Sequence, residues 1–410
     1  MTAPADRPYD IVVFGATSFV GDILCRYVTE RHGTDADLRW AIAGRNEQKL
    51  EAVAATTGAD VSRIVVDAED RTALAELADS CRVVISTVGP YALYGSPLIE
   101  AVAEAGTDYV DLTGEAQWMQ RMIDAHEATA AQTGARIVHS CGFDSIPSDL
   151  GTWFTQQQAN ERFDEPCTRL ALRVKAMKGG ASGGTIASMM NVVDEARANP
   201  ALRKELGNPY ALAPQDMRSG PRQPNVTTPT RDTASGEWVA PFVMAGINTK
   251  VVHRSHALLD RPWGSDFVYD EAMLMGEGVT AAIKAGALVG GLGGFMGLAA
   301  LRPTRRLLGR VLPEPGEGPS PEAQEAGFFD IRFFGTTASG DTIQTRVTGD
   351  RDPGYGSTAK MLAESATTLL ATSRDEPNGT PGGFWTPATA MGDRLIDALT
   401  AHAGLTFEVL

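Results

Sequence analysis

A short apolar run that ends at a glycine and leads into an amphipathic helix constrains the fold of this chain most strongly. Residues 11–14, Ile-Val-Val-Phe, precede Gly15, which is typical of a parallel strand with both faces covered. Apolar residues then recur at helical spacing over residues 19–28. The alternation of strand and helix continues, with further strands predicted at 39–43, 63–66, 83–87, 109–111 and 136–139. This pattern predicts a Rossmann-type, doubly wound α/β domain with a parallel sheet over residues 1–149.

The remainder of the 410-residue chain does not continue the regular alternation of strand and helix, and it is long enough to form a second domain. Strand-like segments such as 170–177 and 237–251, together with a glycine cluster and a helix, predict an α+β domain over residues 150–352. Residues 353–410 are predicted to form a C-terminal helical return segment.

A proline-rich stretch interrupts the predicted second domain. Residues 209–229 contain five prolines and few apolar side chains. This composition predicts a long surface loop or lid that is mobile when no ligand is bound.

Charge and cysteine content exclude several classes of protein. The chain has 36 Lys and Arg against 51 Asp and Glu, a net charge of −15, so it lacks the field that would attract a nucleic acid. Its four cysteines show no CxxC spacing, and we therefore expect neither a disulfide framework nor a metal site. No secretory signal is visible near Met1. A cytoplasmic location fits these features best.

The turn after the first predicted strand has the composition of a dinucleotide-binding loop. In a Rossmann fold this turn presents free backbone amides and the positive end of a helix to a pyrophosphate. Glycine lets the backbone approach the phosphate closely. Ser18 departs from the glycine that is commoner in this loop, and its hydroxyl could itself donate to a phosphate. The residues that we assign to cofactor binding here are Gly15, Thr17, Ser18, Phe19, Val20 and Gly21.

The ends of the next two strands indicate which dinucleotide binds. Arg45 follows Gly44 where an NAD-binding protein would hold an acidic residue. Its guanidinium matches the 2′-phosphate of NADP(H) in fork geometry, although a solvated arginine at the sheet edge is the alternative. Asp67 and Ala68 end the third strand and are predicted to meet the adenine; capping of the next helix would serve Asp67 equally well.

The fourth strand ends beside the expected position of the nicotinamide. Thr87, Val88, Gly89 and Pro90 are predicted to contact that half of the cofactor, and Val88 and Gly89 are expected to do so through their backbone. Two tyrosines, Tyr91 and Tyr94, follow. A phenol here could donate a proton to the substrate, or either ring could simply pack beneath the loop.

Polar residues also follow the last strand of the predicted Rossmann domain. Cys141 and Gly142 are predicted to line the cofactor cleft. Cys141 is expected to be a small buried side chain and not a nucleophile. Asp144 and Ser145 are predicted to contact the substrate as catalytic or orienting residues.

The segment 279–301 is the least polar part of the chain. Its residues 285–301 have no charge and contain six glycines, and four arginines follow by residue 310. Seventeen residues are at the lower limit for a membrane span. A peripheral membrane contact through 285–310, at the inner face of the plasma membrane, is one interpretation. A buried helix or the interface of a homo-oligomer is the other, and we expect a homo-oligomer.

Several of these motifs together resemble the saccharopine dehydrogenase-like oxidoreductases, and most closely their trans-acting enoyl reductase branch. The resemblance extends along nearly the whole chain. The most specific run is Cys-Gly-Phe-Asp-Ser-Ile-Pro-Ser-Asp. The motifs that show the resemblance lie at 14–17, 40–45, 88–91, 109–115, 140–149, 182–185, 352–356 and 382–387.

The resemblance implies an NADP(H)-binding domain, a second α+β domain and a C-terminal portion that packs near the first. It also implies NADPH-dependent reduction of a carbon–carbon double bond in a lipid or polyketide acyl chain, possibly carried by a synthase. The resemblance further implies an association with lipid bodies or membranes, as in relatives of the broader group, and this is consistent with the apolar segment. Two alternatives stay open: a non-catalytic protein that binds NADP(H) and lipid at a membrane, and a saccharopine-type amino-acid dehydrogenase.

Overall fold

The computed structural model describes residues 6–34, 38–180, 183–300, 318–372 and 379–410. Its first sheet contains six strands from the first third of the chain, all parallel and in the order 6-5-4-1-2-3. This order is that of a Rossmann fold and confirms the predicted doubly wound domain. The strands are β1 Tyr9–Phe14, β2 Trp40–Gly44, β3 Ser62–Val65, β4 Cys81–Ser86, β5 Asp108–Asp111 and β6 Arg136–Val138.

Helices cover both faces of this sheet because successive side chains of a strand point to opposite sides. Ile11 and Val13 of β1 face one core, whereas Val12 and Phe14 face the other. The helices of this part are α1 Phe19–His32, α2 Glu47–Thr57, α3 Arg71–Ser80, α4 Tyr91–Tyr94, α5 Ser96–Ala105 and α6 Ala116–Thr133. α1 and α2 pack on the first face, and α3, α5 and α6 pack on the second.

A second, mixed sheet follows the linking helix α7, Ile146–Phe163. Its strands β7 and β10 are parallel to each other and the remaining pairs are antiparallel. The strands are β7 Cys167–Lys178, β8 Thr230–Arg231, β9 Trp238–Pro241, β10 Val268–Gly276, β11 Phe328–Thr337 and β12 Thr342–Gly349. The helices are α8 Gly183–Ala198, α9 Pro200–Leu206, α10 Ala245–Leu258, α11 Gly278–Ala300 and α12 Pro321–Glu325. This sheet forms the predicted α+β part.

The C-terminal segment is more than the helical return that the sequence predicts. It contains the helices α13 Thr358–Ala371 and α14 Pro387–Ala398, but also the strands β13 Gly383–Trp385 and β14 Leu405–Val409. β13 pairs in parallel with β6 as the seventh strand of the first sheet, and β14 pairs with β12 in the second. A three-residue strand is too short to show a period, which is why the pattern missed it.

Two other expectations for the second domain are wrong in detail. Residues 237–251 are not one strand-like element, because only β9 is extended and α10 begins at Ala245. The stretch 209–229 is not a free lid: Leu212 is fully buried and Gln223 donates to the carbonyl of Phe267 at 3.0 Å. A loop that is tied down by such contacts cannot open without breaking them.

α11 contains the apolar segment and lies at the surface. Val279 is 78% exposed and Ile283 67%. Among the described residues it is the one helix long and apolar enough to cross a membrane, over Gly278–Phe295, and 12% of that window is buried. A single helix of this kind is a weak indication of a span. The arginines between residues 302 and 310 lie outside the described residues.

Candidate active site

The turn between β1 and α1 is shaped by contacts that a side chain at Gly15 would prevent. Gly15 has a φ of 93°, and a Cβ there would be 2.6 Å from Thr87 Oγ1 and 2.8 Å from Val88 Cγ2. The Thr87 hydroxyl donates to the carbonyl of Gly15 at 2.8 Å. A Cβ on Gly21 would overlap the Gly15 carbonyl oxygen. The loop and the end of β4 therefore form one tight cradle, as the cofactor assignment requires.

The amides at the start of α1 face this cradle. Ser18 is the N-cap, and its Oγ accepts a hydrogen bond from the Gly21 amide at 2.9 Å. The amides of Phe19 and Val20 have no acceptor within the helix, as at every helix start. They and the helix dipole fit a pyrophosphate. The Phe19 ring itself packs edge-on against Tyr355 with the centroids 5.1 Å apart, so Phe19 can serve the cofactor through its amide.

Ser18 and Thr17 have different roles in this loop. The Ser18 hydroxyl is used for capping and for a 2.9 Å hydrogen bond with Thr87 Oγ1. The predicted donation from that hydroxyl to a phosphate is therefore not needed to explain its presence. Thr17 is half-buried and lies toward Gly44, at the end of β2. Loop and β2 thus meet at the side where Arg45 stands.

Arg45 is exposed directly after β2, and in the described part of the chain its guanidinium has no hydrogen bond or ion pair. The neighbouring Asn46 caps α2 by accepting from the Lys49 amide at 3.0 Å. Arg45 is thus free to pair with a 2′-phosphate. Asp67 and Ala68 lie at the next strand end. The Asp67 carboxylate accepts from the Glu69 amide at 3.0 Å, but the cap of α3 is Asp70, so the capping alternative for Asp67 is wrong.

Replacement of Arg45 by alanine tests the phosphate assignment. We expect Arg45→Ala to weaken NADPH binding about 10- to 100-fold, the effect of losing hydrogen bonds to a charged partner, and to leave NADH binding unchanged. Arg45→Lys, which keeps the charge but not the fork, should lie between the two. Calorimetric titration with each dinucleotide gives the comparison. Equal losses for NADPH and NADH would contradict the assignment.

Tyr91 does not have the predicted role of proton donor. Its side chain is buried, its hydroxyl donates to the carbonyl of Ser86 at 2.9 Å, and its ring packs on Trp118. Burial and the nearby Asp111 raise the pKa of this phenol well above its ordinary value. The packing alternative therefore holds for Tyr91. Tyr94 is 38% exposed, and among the described residues its hydroxyl has no partner.

Asp144 has the properties of a carboxyl group that keeps its proton. It lies half-buried on the loop after β6, with Oδ2 3.7 Å from where a Cβ on Gly114 would stand. Within the described part of the chain no hydrogen bond satisfies it. Burial, and then the charge of Asp111, raise the pKa of Asp144 to about 7. The group can hold and release a proton near neutral pH.

The charge that acts on Asp144 is itself held firmly in place. Asp111 ends β5, and its carboxylate accepts from the amides of Ser140 and Thr113 at 3.0 and 3.1 Å. His139 Nδ1 lies 2.7 Å from Asp111 Oδ2. Tyr109 donates to the same oxygen at 3.0 Å. This network fixes one carboxylate beneath the loop that bears the other.

Ser145 is fully buried and turned toward the second domain. Its hydroxyl lies 3.2 Å from Asn248 Oδ1, and the Asn248 amide donates to Glu271 at 2.9 Å. Burial raises the pKa of Glu271 to about 7. The prediction that Ser145 contacts the substrate is wrong, because its hydroxyl already forms a hydrogen bond between the domains. It positions the loop instead.

Cys141 and Gly142 lie beneath the site. The Cys141 thiol is fully buried, and burial raises its pKa well above the ordinary value, so it is no nucleophile. Its amide donates to the carbonyl of Asp111 at 2.7 Å. A Cβ on Gly142 would stand 2.9 Å from the Thr358 side chain of α13. These contacts enclose both residues and argue against their predicted role in cofactor binding.

Glu115, which no sequence pattern singled out as a site residue, joins the two domains at the cleft. Its Oε1 accepts from the Tyr91 amide at 2.8 Å and from Ser188 Oγ of α8 at 3.0 Å. Its Oε2 accepts from the Ala92 amide at 2.9 Å. Gly89 lies next to this contact, since a Cβ there would be 3.8 Å from Ser188 Oγ. The signal that could have found Glu115 was an acidic residue directly before a helix within a recognised motif.

Asp352 was not singled out by the sequence pattern either, and its carboxylate also links two segments through hydrogen bonds. One carboxylate oxygen accepts from the Gly180 amide at 3.0 Å, and the other accepts from the amides of Tyr355 and Gly356. The carboxylate thereby ties the end of β7 to the loop whose Tyr355 packs on Phe19. Ala181 and Ser182 of the glycine cluster lie outside the described residues.

Comparison with known proteins agrees with this architecture. The profile of the saccharopine dehydrogenase NADP binding domain matches residues 11–138. Apo, histidine-tagged saccharopine dehydrogenase from Saccharomyces cerevisiae has the same fold, with a TM-score of 0.54 at 14% identity. That likeness covers 98% of this chain and 100% of that chain.

The sequence relatives are closer. One relative is a Mycobacterium tuberculosis protein whose name assigns it provisionally to the trans-acting enoyl reductases. It is 42% identical to this chain over 422 residues, and the match covers 100% of this chain and 99% of that protein. The trans-acting enoyl reductase of Mycobacterium bovis is 39% identical over 412 residues, with 97% of each chain matched. The chain therefore belongs to the saccharopine dehydrogenase-like family of NADP-dependent oxidoreductases, in the branch of the trans-acting enoyl reductases.

Proposed function

We propose that this protein reduces the carbon–carbon double bond of an enoyl thioester in a lipid or polyketide-type acyl chain. The names of its relatives support an enoyl substrate. The observation that carries the proposal is Asp144, at the carboxyl edge of the first sheet: this carboxyl has no hydrogen-bond partner in the described part of the chain, and its pKa is raised to about 7. Reduction of an enoyl group needs a proton as well as a hydride, and this residue can supply the proton.

The cofactor residues bind and orient. The amides at the start of α1 hold the pyrophosphate, Arg45 pairs with the 2′-phosphate, and Val88 and Gly89 offer their backbone to the nicotinamide end. Bound NADPH supplies the hydride that the β-carbon of the substrate receives. Positioning of the two reactants in one cleft accounts for a large part of the rate.

Asp144 completes the reaction by giving its proton to the α-carbon, and solvent then returns a proton to the carboxylate. One carbon–carbon π bond is lost and two C–H bonds form, so the balance closes with one hydride and one proton. Tyr94 is the second candidate donor, because its hydroxyl is exposed and free among the described residues. Glu115 and Ser145 act as positioning residues for the loops on either side.

The amino-acid dehydrogenase alternative requires basic side chains that are free to bind a dicarboxylate. Two arginines are buried in the described part of the second domain, and both already have partners. Arg173 pairs with Asp232 and Asp270, each at 2.8 Å. Arg254 donates to the carbonyls of Leu212 and Phe384, both at 2.5 Å. This favours a neutral acyl substrate.

Turnover distinguishes the enzyme from a protein that only binds NADP(H) and lipid. We expect the purified chain to oxidise NADPH, measured by absorbance, when enoyl thioesters of increasing chain length are added, and to yield the saturated thioester. Binding of NADPH without consumption by any enoyl thioester, of any length, would overturn the proposal. Consumption with an imino or oxo dicarboxylate instead would favour the amino-acid dehydrogenase.

We further propose that the protein is cytoplasmic and that α11 contacts the inner face of the plasma membrane. The exposed apolar side chains at Val279, Ile283 and Leu298 support this. Deletion of residues 279–301 should abolish flotation with anionic vesicles that the full chain shows, with NADPH binding kept as the control. If flotation persists, the contact lies elsewhere. If the full chain never floats but forms an oligomer that the deletion dissolves, α11 is a subunit interface.

A further inference from the structure

One short turn contacts both the cofactor loop and the loop that bears Asp144. It covers residues 352–358, between β12 and α13, and we call it the bridging turn. Residues 353–357 form a single wide helical turn. The side chains of Tyr355 and Thr358 are both buried, so they pack against other parts of the fold.

The bridging turn contacts the cofactor loop through an aromatic ring. Tyr355 meets the Phe19 ring edge-on, with the two centroids 5.1 Å apart. Phe19 is the first residue of α1, and its backbone amide is one of those that fit the pyrophosphate. A contact that fixes the Phe19 ring therefore also restricts the orientation of this amide.

The bridging turn contacts the Asp144 loop through one hydroxyl group. Thr358 Oγ1 accepts from the Phe143 amide at 3.0 Å and donates to the Pro353 carbonyl at 2.8 Å. The Thr358 methyl group lies against Gly142, where a Cβ would be 2.9 Å away. Because Thr358 and Phe143 are both buried, removal of the hydroxyl would leave the Phe143 amide without its acceptor.

The position of Asp144 depends on its neighbours in the chain, since its carboxyl has no hydrogen-bond partner among the described residues. Before it, the Phe143 amide is held by Thr358. After it, the Ser145 hydroxyl lies 3.2 Å from Asn248 Oδ1. The loop is thus anchored directly on both sides of Asp144. Such anchoring matters because a displacement of about 1 Å can cost a reaction on the order of 100-fold in rate.

A carboxylate at its start holds the bridging turn together. Asp352 is buried, and its Oδ2 accepts from the amides of Tyr355 and Gly356 at 2.9 and 3.4 Å. Its Oδ1 accepts from the Gly180 amide at 3.0 Å. The Thr358 hydroxyl donates into the same turn. Tyr355 and Thr358 therefore belong to one hydrogen-bonded unit.

We propose that the bridging turn sets the distance between the cofactor loop and Asp144, with Tyr355 and Thr358 as its two positioning residues. The hydride and the proton must reach adjacent carbons of one double bond, so this distance is a condition of the reaction. Neither residue needs to touch a reactant. The role of Thr358 rests on the proposed enoyl reduction, whereas the role of Tyr355 depends only on NADP(H) binding.

Thr358→Val tests the contact with the Asp144 loop, because valine keeps the shape of the side chain and lacks the hydroxyl. We expect kcat for enoyl reduction to fall at least about tenfold, with the Kd for NADPH unchanged. Thr358→Ser, which restores the hydroxyl, should recover the rate. Thr358→Ala serves as a second variant if valine disturbs the packing, and urea unfolding shows which variants are folded.

Thr367→Val is the matched control for this substitution. Thr367 lies on the same helix, and its hydroxyl donates to the carbonyls of Ala363 and Glu364 in that helix. We expect this variant to change neither kcat nor the Kd for NADPH.

Tyr355→Leu tests the contact with the cofactor loop. We expect NADPH to bind about two- to tenfold more weakly, the loss that an aromatic pair accounts for. The effect is limited because the Gly318 backbone also packs on the Phe19 ring. Tyr355→Phe keeps the ring and should keep the affinity. Calorimetric titration measures both variants, and an unchanged affinity in Tyr355→Leu would overturn the role of Tyr355.

Titration of Asp144 without substrate separates the role of Thr358 from the proposed function. Carbon-13 NMR of labelled aspartate follows the carboxyl, and Asp144→Asn identifies its signal. In the parent chain the midpoint should lie near pH 7. A loop released from Thr358 admits water to the carboxyl, so we expect Thr358→Val to titrate about one pH unit lower and Thr358→Ser to titrate like the parent.

The outcomes then decide between the two proposals. A lower midpoint in Thr358→Val, in a chain that reduces no enoyl thioester, would keep the positioning role and overturn the enoyl reduction. If the parent reduces enoyl thioesters and Thr358→Val does so at the parent rate, the positioning role is overturned. The same follows if the chain shows no turnover and Thr358→Val titrates like the parent.

Discussion

Asp144→Asn is expected to lower kcat for enoyl reduction by about 10²- to 10⁴-fold, the usual contribution of a positioned acid, and to leave NADPH affinity unchanged. The asparagine keeps the shape of the side chain and cannot transfer a proton. In the parent chain the rate should be highest below pH 7 and fall above it. The reason is that the pKa of Asp144 is raised to about 7 and only the protonated carboxyl can donate a proton to the substrate. The variant should lack this pH dependence.

The controls separate Asp144 from the other predicted donors. Tyr94→Phe should keep kcat and its pH profile; if it removes them while Asp144→Asn does not, Tyr94 is the donor. Tyr91→Phe should cost stability through the lost bond to Ser86 and should spare the pH profile. Each rate is measured at saturating NADPH.

Stability gives an independent check on the same carboxyl. The folded pKa of Asp144 is above its ordinary value of 3.8, so the folded chain binds more protons than the unfolded chain between about pH 4 and pH 7. Ionisation of Asp144 therefore destabilises the fold as the pH rises through this window. Asp144→Asn should unfold at a higher temperature than the parent at pH 8 and show little difference at pH 4. A variant that is less stable at pH 8 would contradict the raised pKa.

Arg173→Met is expected to lower the free energy of unfolding by about 3–5 kcal/mol, the cost of leaving buried charges without a partner. The guanidinium is 3% exposed and pairs with Asp232 and Asp270 in the second sheet. Burial alone would raise the pKa of Asp232, but the hydrogen bonds and charge of Arg173 outweigh it and lower the pKa to about 2. Urea unfolding measures the loss.

The matched control is an arginine in an exposed pair. Arg26 lies 3.5 Å from Asp22 on the surface of α1, and Arg26→Met should change the free energy of unfolding by no more than about 1 kcal/mol. If Arg173→Met and Arg26→Met unfold at the same urea concentration as the parent, the buried network does not hold the second sheet together.

The cofactor half of the site was predictable from local pattern. A strand, a glycine turn and a helix start occupy consecutive residues, so the cradle at Gly15 and the free amides of α1 follow from the chain itself. Arg45 was predictable in the same way, because its place at the end of β2 depends on one strand. The C-terminal strands β13 and β14 were not, since each is short and pairs with a strand far away in sequence.

The preference for Asp144 over Tyr91 as the proposed proton donor could not be inferred from the sequence pattern. Tyr91 and Asp144 are both polar residues that follow a strand, so the sequence pattern does not distinguish which of them could donate a proton. In the fold, the Tyr91 hydroxyl donates to the Ser86 carbonyl, whereas Asp144 has no hydrogen-bond partner among the described residues and lies near the charge of Asp111. The pKa of a side chain depends on burial and on charges brought from other strands, and the order of residues along the chain shows neither.

The Rossmann sheet, the dinucleotide loop and the family can be predicted from the order of residues, because each depends on residues within a few turns of one another or on motifs in a fixed order. The three-dimensional packing is needed to find the carboxyl whose pKa is raised, Asp144, and to see that Ser145 and Cys141 are enclosed. These properties arise when elements distant in sequence exclude water from the same volume, and that exclusion sets the cost of every polar group inside it.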